Sequence, residues 1–200
     1  SGAPSRGTLV ADFLAGEETP HTCLERIAPR ASQCNGYNLL VGDGETLWWS
    51  SNMGGEPRRL ESGVYGISNH LLDTPWPKVG AGKAALAQAL DSLPDDQALF
   101  GLLQDDGIHP DEHLPQTGIS LDWERLLSSA FVKSPDYGTR SSTVLSIGRD
   151  GWVGFDEQTW LQGAQRGPRL HYRFTSPARG TESPADRSDV PSSDAGCRPP

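Results

Sequence analysis

Two apolar runs flank an Asp-Gly pair in the stretch Asn38-Leu-Leu-Val-Gly-Asp43-Gly44-Glu45-Thr-Leu-Trp-Trp-Ser50. An Asp-Gly pair between strand-like runs is a strong signal for a β-hairpin, because both residues tolerate the positive φ angles of a two-residue turn. The same design recurs where Ser142-Thr-Val-Leu-Ser-Ile and Trp152-Val-Gly-Phe-Asp flank Asp150-Gly151. We therefore expect two antiparallel hairpins in separate parts of the chain.

Further strand-like and helical segments surround these hairpins. The apolar patterns predict strands at 37–42, 45–51, 63–69, 142–149, 152–159 and 169–174. Helical periodicity predicts helices near 5–16, 19–28, 83–90, 95–104 and 121–129. Hairpins separated by helical sequence are typical of an α+β domain with antiparallel sheets and helices packed outside them. No Gly-rich phosphate loop lies at a strand-to-helix junction, which disfavours a doubly wound nucleotide-binding fold.

Length and charge narrow the possible functions. The 200 residues suit one domain, predicted at 1–175, and the Ser-, Pro- and Asp-rich segment 176–200 is predicted to be a disordered tail. Lys and Arg number 17 against 26 Asp and Glu, so the formal net charge is −9 and nucleic acid is not an expected partner. The apolar runs are too short to span a membrane.

The cysteines and the His-rich segment argue against structural metals and disulfides. Cys23, Cys34 and Cys197 form no Cys-x-x-Cys pair, which disfavours a disulfide framework and a zinc site and favours a reducing, cytoplasmic location. Cys23 lies on the apolar face of a predicted helix, so packing explains it better than nucleophilic chemistry. The acidic residues and histidines between 105 and 113 are predicted to form a solvated loop, because Pro110 separates the two histidines. No metal site is predicted.

Two stretches carry polar residues at predicted strand ends. Asn69 ends the predicted strand 63–69 and enters a loop stiffened by prolines. Arg140 lies at the entrance of the next hairpin, in Tyr137-Gly-Thr-Arg-Ser-Ser-Thr143. We expect the side chains of Asn69 and Arg140 to meet over one cleft, although structural hydrogen bonding would explain both residues equally well.

Six blocks of this sequence resemble the NRDE-motif family, also called the transport and Golgi organisation 2 family. They occur in the family's order and cover roughly 5–174, and the tail lies outside them. The blocks are Ser5-Arg-Gly-Thr-Leu-Val, Asn35-Gly-Tyr-Asn-Leu-Leu-Val, Tyr65-Gly-Ile-Ser-Asn, Leu72-Asp-Thr-Pro-Trp-Pro-Lys, Leu114-Pro-Gln-Thr-Gly and Tyr137-Gly-Thr-Arg-Ser-Ser-Thr.

The resemblance implies an αββα layered sandwich similar to the N-terminal-nucleophile hydrolases. Family members begin with Met-Cys followed by Asn-Arg-Asp-Glu, and this sequence has neither, so it resembles an N-terminally truncated domain without its first strands. By resemblance, Asn69 and Arg140 match catalytic positions, where an amide stabilises an oxyanion and a guanidinium lowers a thiol pKa. The nucleophile has no counterpart, so we expect this chain alone to be inactive as an enzyme.

Three functional hypotheses follow from the resemblance. The leading one is intracellular handling of a small hydrophobic molecule, through haem trafficking or lipid and acyl-CoA homeostasis. Its candidate ligand-binding residues are His70, Trp76 and Tyr137, with haem as a possible ligand; no other cofactor is predicted. The alternative is a cysteine amidohydrolase that cleaves C–N bonds when the N-terminal segment is present, and the third is an inactive or partner-dependent fragment. The oligomeric state stays open.

Overall fold

The computed structural model describes residues 5–175. Within this range, the chain folds into five α-helices, six strands and three short 3-10 helices. The 3-10 helices are Ala28–Gln33, Asp111–His113 and Gln162–Ala164. The helices are α1 (Gly7–Ala15), α2 (Pro20–Ile27), α3 (Pro77–Leu90), α4 (Gln97–Leu102) and α5 (Leu121–Leu126). The strands are β1 (Asn38–Gly42), β2 (Leu47–Ser51), β3 (Gly54–Leu60), β4 (Ser141–Ile147), β5 (Trp152–Leu161) and β6 (Gln165–Thr175).

This architecture confirms the predicted α+β class with antiparallel sheets. The strands form two three-stranded antiparallel sheets, in the orders β1-β2-β3 and β4-β5-β6. Both hairpins occur where the sequence predicts them, but each loop has four residues, 43–46 and 148–151, rather than the predicted two. Of the two Asp-Gly pairs, only Gly44 and Gly151 take positive φ values, 91° and 81°. The predicted tail and Cys197 lie outside the described residues.

Helices α1 and α2 cover one face of the first sheet. Thr19 caps α2 by accepting a hydrogen bond from the Thr22 amide at 3.2 Å, and Pro20 occupies the first turn, where its missing N–H costs nothing. The apolar face of α2 is fully buried at Leu24 and packs in one cluster with Val41 of β1. Burial of this face against the sheet supplies most of the helix's stability, as expected for so short a helix.

The predicted strand at 63–69 is wrong, because the third strand of this sheet is β3, at Gly54–Leu60. Pro57 lies inside β3 and makes that segment resemble a loop in the sequence. Proline is tolerated there because β3 is an edge strand, in which alternate N–H groups need no partner. The 63–69 segment instead forms part of the loop between β3 and α3.

The second sheet has one covered and one open face. On the covered face, Arg169 of β6 pairs with Asp96, the residue before α4, at 2.7 Å. The opposite face carries apolar side chains that are more than half exposed, at Leu145 and Ile147 of β4 and at Tyr172 and Phe174 of β6. Cross-strand pairing through β5 places these four on the same side. The described residues therefore leave an apolar sheet face uncovered.

The longest helix starts earlier than the sequence predicts. α3 begins at Pro77, six positions before the predicted start at 83, because proline suits the first helical turn and Trp76 precedes it in an extended conformation. No helix within residues 5–175 combines the length and the apolar character that crossing a bilayer requires.

Candidate functional site

The loop between β3 and α3 is fixed by Asp73. Its carboxylate accepts hydrogen bonds from the Gly66 amide at 2.9 Å and from Lys83 Nζ at 2.7 Å, and its own amide donates to the Gly66 carbonyl at 2.8 Å. Burial alone would raise the pKa of Asp73, but the hydrogen bonds from Lys83 and Gly66 outweigh it and leave the pKa below its usual value. The loop that carries Asn69 and His70 is thereby held against α3.

His70 is attached to this loop through its ring and its backbone. Its Nδ1 lies 2.8 Å from Thr74 Oγ1, its carbonyl accepts a hydrogen bond from Asn38 Nδ2 at 2.8 Å, and its ring lies 5.7 Å from the Trp76 ring. The structure thus brings together two of the predicted ligand-binding residues, His70 and Trp76.

Asn69 and Trp76 line a cavity of about 250 Å³, which we call the first cavity. Its walls come from the start of α3, from the segment 114–119 and from α5 with the residues that follow it. The lining is mainly apolar, with a few polar groups. The lining residues are Asn69, Trp76, Pro77, Lys78, Leu114, Pro115, Thr117, Ile119, Glu124, Leu127 and Ser128.

Lys78 brings a half-buried positive charge to this cavity. Its Nζ donates to the carbonyl of Leu127 at 2.7 Å and lies 5.9 Å from the centre of the Trp76 ring. Burial lowers the pKa of Lys78, because removing the ammonium group from water disfavours its charged form. Among residues 5–175, no carboxylate lies within 4.0 Å of this nitrogen to offset that cost.

Glu124 is the other charged group of the lining, and only 7% of its surface is exposed. One of its oxygens accepts hydrogen bonds from the amide of Thr117 at 2.7 Å and from the hydroxyl of Thr117 at 2.6 Å. These bonds join α5 to the segment 114–118, so Glu124 shapes the wall opposite α3.

Sequence reasoning missed both charged residues of the first cavity. Lys78 ends one of the family-like blocks, and Thr117 lies in another. Two sequence features could have indicated this site. One is Lys78, which follows Trp-Pro at a helix start, and the other is the separate block that contains the Thr117-Gly118 turn. Gly118 takes φ 90° in that turn, a conformation that favours glycine.

Arg140 and Tyr137 lie in a different, second cavity. It has a volume of about 400 Å³ and is lined by residues 132–140 together with Leu161, Gln162 and Ala164. The Tyr137 ring meets the Trp123 ring edge-on at 5.4 Å. Asn69 and Arg140 therefore line separate cavities rather than one shared cleft, and their catalytic roles stay predictions.

The described cysteines contact neither cavity. Cys23 is fully buried in α2, and burial raises the pKa of its thiol, which agrees with the predicted packing role. Cys34 is partly buried against the same core cluster. Within residues 5–175, no group of three or more His, Cys, Asp or Glu side chains is arranged to hold a metal ion. Asp111 of the His-rich segment instead pairs with Arg125 at 2.7 Å.

Comparison with known proteins identifies the family. The family model described as "Transport and Golgi organisation 2" matches residues 1–162. The chain belongs to the transport and Golgi organisation 2 family. The matched range contains every lining residue of both cavities except Ala164.

Mammalian members of the transport and Golgi organisation 2 family are clearly similar to this chain. The Bos taurus "Transport and Golgi organization protein 2 homolog" is 35% identical over 176 residues, which are 80% of this chain and 63% of that protein. The Homo sapiens homolog is 30% identical over 174 residues, with the same two coverages. A Mus musculus homolog is 30% identical over 191 residues, 86% of this chain and 68% of that protein. The chain thus spans less than two thirds of the Bos taurus and Homo sapiens relatives.

Proposed function

We propose that the first cavity binds a small molecule with an apolar body and an anionic head group, of the fatty-acyl class. The observation that carries this proposal is Lys78. Its ammonium group has three N–H donors, one of which reaches the Leu127 carbonyl. The carboxylate of Glu124, in the opposite wall, accepts hydrogen bonds from Thr117 and forms no ion pair with Lys78. A half-buried charge without an ion-pair partner is costly, so an incoming carboxylate would relieve that cost and gain a charge-assisted hydrogen bond.

The rest of the lining suits the apolar body of such a ligand. Trp76, Leu114, Ile119 and Leu127 present apolar surface, and Ile119 is 46% exposed, so it marks the side that opens to solvent. Each methylene group buried in such a site contributes about 0.8 kcal/mol to binding. The volume of about 250 Å³ is slightly below the usual range for drug-sized ligands. It suits a short acyl chain.

Between the two ligand classes considered for this family, the cavity favours the acyl class over haem. Haem iron takes axial ligands from His, Cys, Met or Tyr, and none of these residue types lines the first cavity. His70, the predicted haem contact, is not among the lining residues, and its Nδ1 forms a hydrogen bond with Thr74 Oγ1. Lipid or acyl-CoA handling is therefore our proposal for this chain.

The experiment is a calorimetric titration that separates the head group from the apolar body. Decanoate, decanol and decyltrimethylammonium are titrated into the full chain, into Lys78→Met and into Arg149→Met, whose arginine is exposed in the turn before β5 and lines neither cavity. We expect Lys78→Met to weaken decanoate binding by about tenfold or more, since a charge-assisted hydrogen bond contributes about 1.5–3 kcal/mol. Decanol binding should be unchanged in both variants.

Two results would contradict the proposal. One is decanoate binding of equal strength in the parent chain and Lys78→Met, and the other is preferential binding of the cationic amphiphile. A titration with haem completes the test. If haem bound more tightly than decanoate, the proposed preference for acyl ligands over haem would be wrong.

The cysteine amidohydrolase alternative gains no support from the geometry. Neither cavity has a cysteine in its lining, and Cys23 is enclosed in the core. We therefore do not propose amidohydrolase activity as a second function. The cytoplasmic location stays a prediction.

We also propose that the two sheets belong to an αββα sandwich. The arrangement of helices supports this, because α1 and α2 cover one face of the first sheet and α4 lies against the second. Leu145 and Tyr172 lie on an apolar face that residues 5–175 leave open, so the first sheet does not cover it in the described chain. Such a face stabilises a fold when another layer covers it, which is why we propose that the apolar faces of the two sheets pack together in the sandwich. A crystal structure with the sheets stacked about 10 Å apart would support the proposal, and apolar faces that stay apart would contradict it.

A further inference from the structure

The second cavity is built on a loop that its own hydrogen bonds hold rigid. Val132 and Thr139 exchange two of them, from the Thr139 amide to the Val132 carbonyl and from the Val132 amide to Thr139 Oγ1, both at 2.9 Å. Ser134 bonds Tyr137 through its amide at 3.1 Å and its hydroxyl at 2.7 Å. Gln162 Nε2 donates to the Pro135 carbonyl at 3.1 Å and fixes the loop to the end of β5. The cavity therefore exists before any ligand arrives, which lowers the entropic cost of binding.

Backbone geometry at the cavity is also unusual. A Cβ atom at Gly138 would lie 2.7 Å from the Val132 carbonyl oxygen, so only glycine fits this turn of the loop. On the other side of the cavity, Ala164 adopts φ 61°, a left-handed conformation that residues other than glycine rarely take. Strained backbone of this kind clusters at binding sites, where the surrounding structure maintains it.

Two cations line this cavity without a carboxylate partner. Among residues 5–175, no Asp or Glu oxygen lies within 4.0 Å of the side-chain nitrogens of Lys133 or Arg140. Several other basic residues are paired, such as Lys83 with Asp73 at 2.7 Å and Arg125 with Asp111 at 2.7 Å. One carboxylate, Asp136, belongs to the lining, and it forms no ion pair with either cation.

We infer that the second cavity binds a phosphomonoester group. Arg140 offers a planar fork of donors that matches two oxygens of one phosphate, and Lys133 adds a compact second positive charge. Together they balance the charge of −1.5 to −2 that a phosphomonoester carries near neutral pH. Tyr137, 54% exposed at the same cavity, adds a hydroxyl donor for the third oxygen.

This inference is independent of the proposed function. It concerns another cavity and other residues, so either can fail while the other holds. The inference also gives Arg140 a role, anion binding, for which the chain needs no catalytic nucleophile.

The test is a calorimetric titration of the full chain with glycerol 3-phosphate at low ionic strength. We expect Arg140→Gln to weaken binding by at least about tenfold and Lys133→Gln by several-fold. Asp136→Asn should strengthen binding about two- to fivefold, because it removes the like charge of the lining. The matched control is Arg149→Gln, at the far end of β4 in the exposed hairpin turn, which should bind as the parent chain does.

A second arm distinguishes a soluble phosphate from a lipid head group. Vesicles of phosphatidylcholine with and without phosphatidic acid are tested by co-sedimentation, with Arg140→Gln as the comparison. Binding that requires Arg140 supports the inference in either arm. Binding of glycerol 3-phosphate indicates a soluble phosphate, and binding of phosphatidic acid vesicles indicates a lipid head group. Absence of binding in both arms overturns it, as does binding that Arg140→Gln leaves unchanged or that Asp136→Asn weakens.

Discussion

Replacing Asp156 by asparagine should destabilise the second sheet. Asp156 lies in the central strand β5, is only 4% exposed, and forms an ion pair with Arg173, with the nitrogen and oxygen 2.8 Å apart. His171 Nδ1 contacts the same carboxylate, and Arg169 lies 3.9 Å away. Asparagine keeps the shape but removes the charge, and its N–H₂ group cannot accept hydrogen bonds from the arginine side chains around it.

The magnitude follows from the partners and their exposure. A hydrogen bond to a charged group contributes about 1.5–3 kcal/mol. The side chains of His171 and Arg173 are 54% and 43% exposed, so water compensates part of each loss when the carboxylate is removed. We therefore expect Asp156→Asn to lower the free energy of unfolding by about 2–3 kcal/mol.

Urea denaturation followed by tryptophan fluorescence measures this change. Trp160 of β5 is 3% exposed and reports on the same sheet. The matched control is Asp106→Asn, in an exposed loop, which should stay within about 0.5 kcal/mol of the parent chain. The reasoning would be refuted if both variants unfolded at the same urea concentration as the parent, because the buried carboxylate would then contribute nothing to stability.

Three further predictions concern the core and the first cavity. Leu24→Ala should lower the free energy of unfolding by about 3 kcal/mol, whereas Leu14→Ala, 71% exposed, should change it by less than about 0.5 kcal/mol in the same assay. Cys23 should be alkylated only after unfolding, as peptide mapping by mass spectrometry would show, because it is fully buried and burial raises the pKa of its thiol. Decanoate binding should weaken as pH rises toward the usual lysine pKa of about 10.4, because burial lowers the pKa of Lys78 and only its protonated form attracts a carboxylate. Calorimetry across this pH range checks the last prediction, with decanol binding expected to stay constant.

The hairpins were predictable from sequence because their turns are local. Asp43 accepts hydrogen bonds from the amides of Glu45 and Thr46, so the residues that determine the turn are adjacent in the chain. β3 was not predictable in the same way, since Pro57 is compatible with a strand only at a sheet edge, and position in a sheet is a tertiary property.

The candidate site was only partly predictable for a similar reason. The family-like blocks include the segments that line both cavities, but they do not say which residues face which cavity. Asn69 and Arg140 both lie at segment ends, yet packing places them in separate cavities. Lys78 acquires its buried charge only when Leu127, 49 residues later, comes within hydrogen-bond distance.

The hydrogen bond from Lys78 to Leu127 joins the start of α3 to the end of α5. A carboxylate in the first cavity would compete with the Leu127 carbonyl for the same ammonium group. If it displaced that carbonyl, the two helices would exchange a direct connection for one that passes through the ligand. Ligand binding would then change how strongly α3 and α5 are held together. Amide hydrogen exchange in the last turn of α5 would report whether the cavity is filled, even though that turn need not touch the apolar body of the ligand.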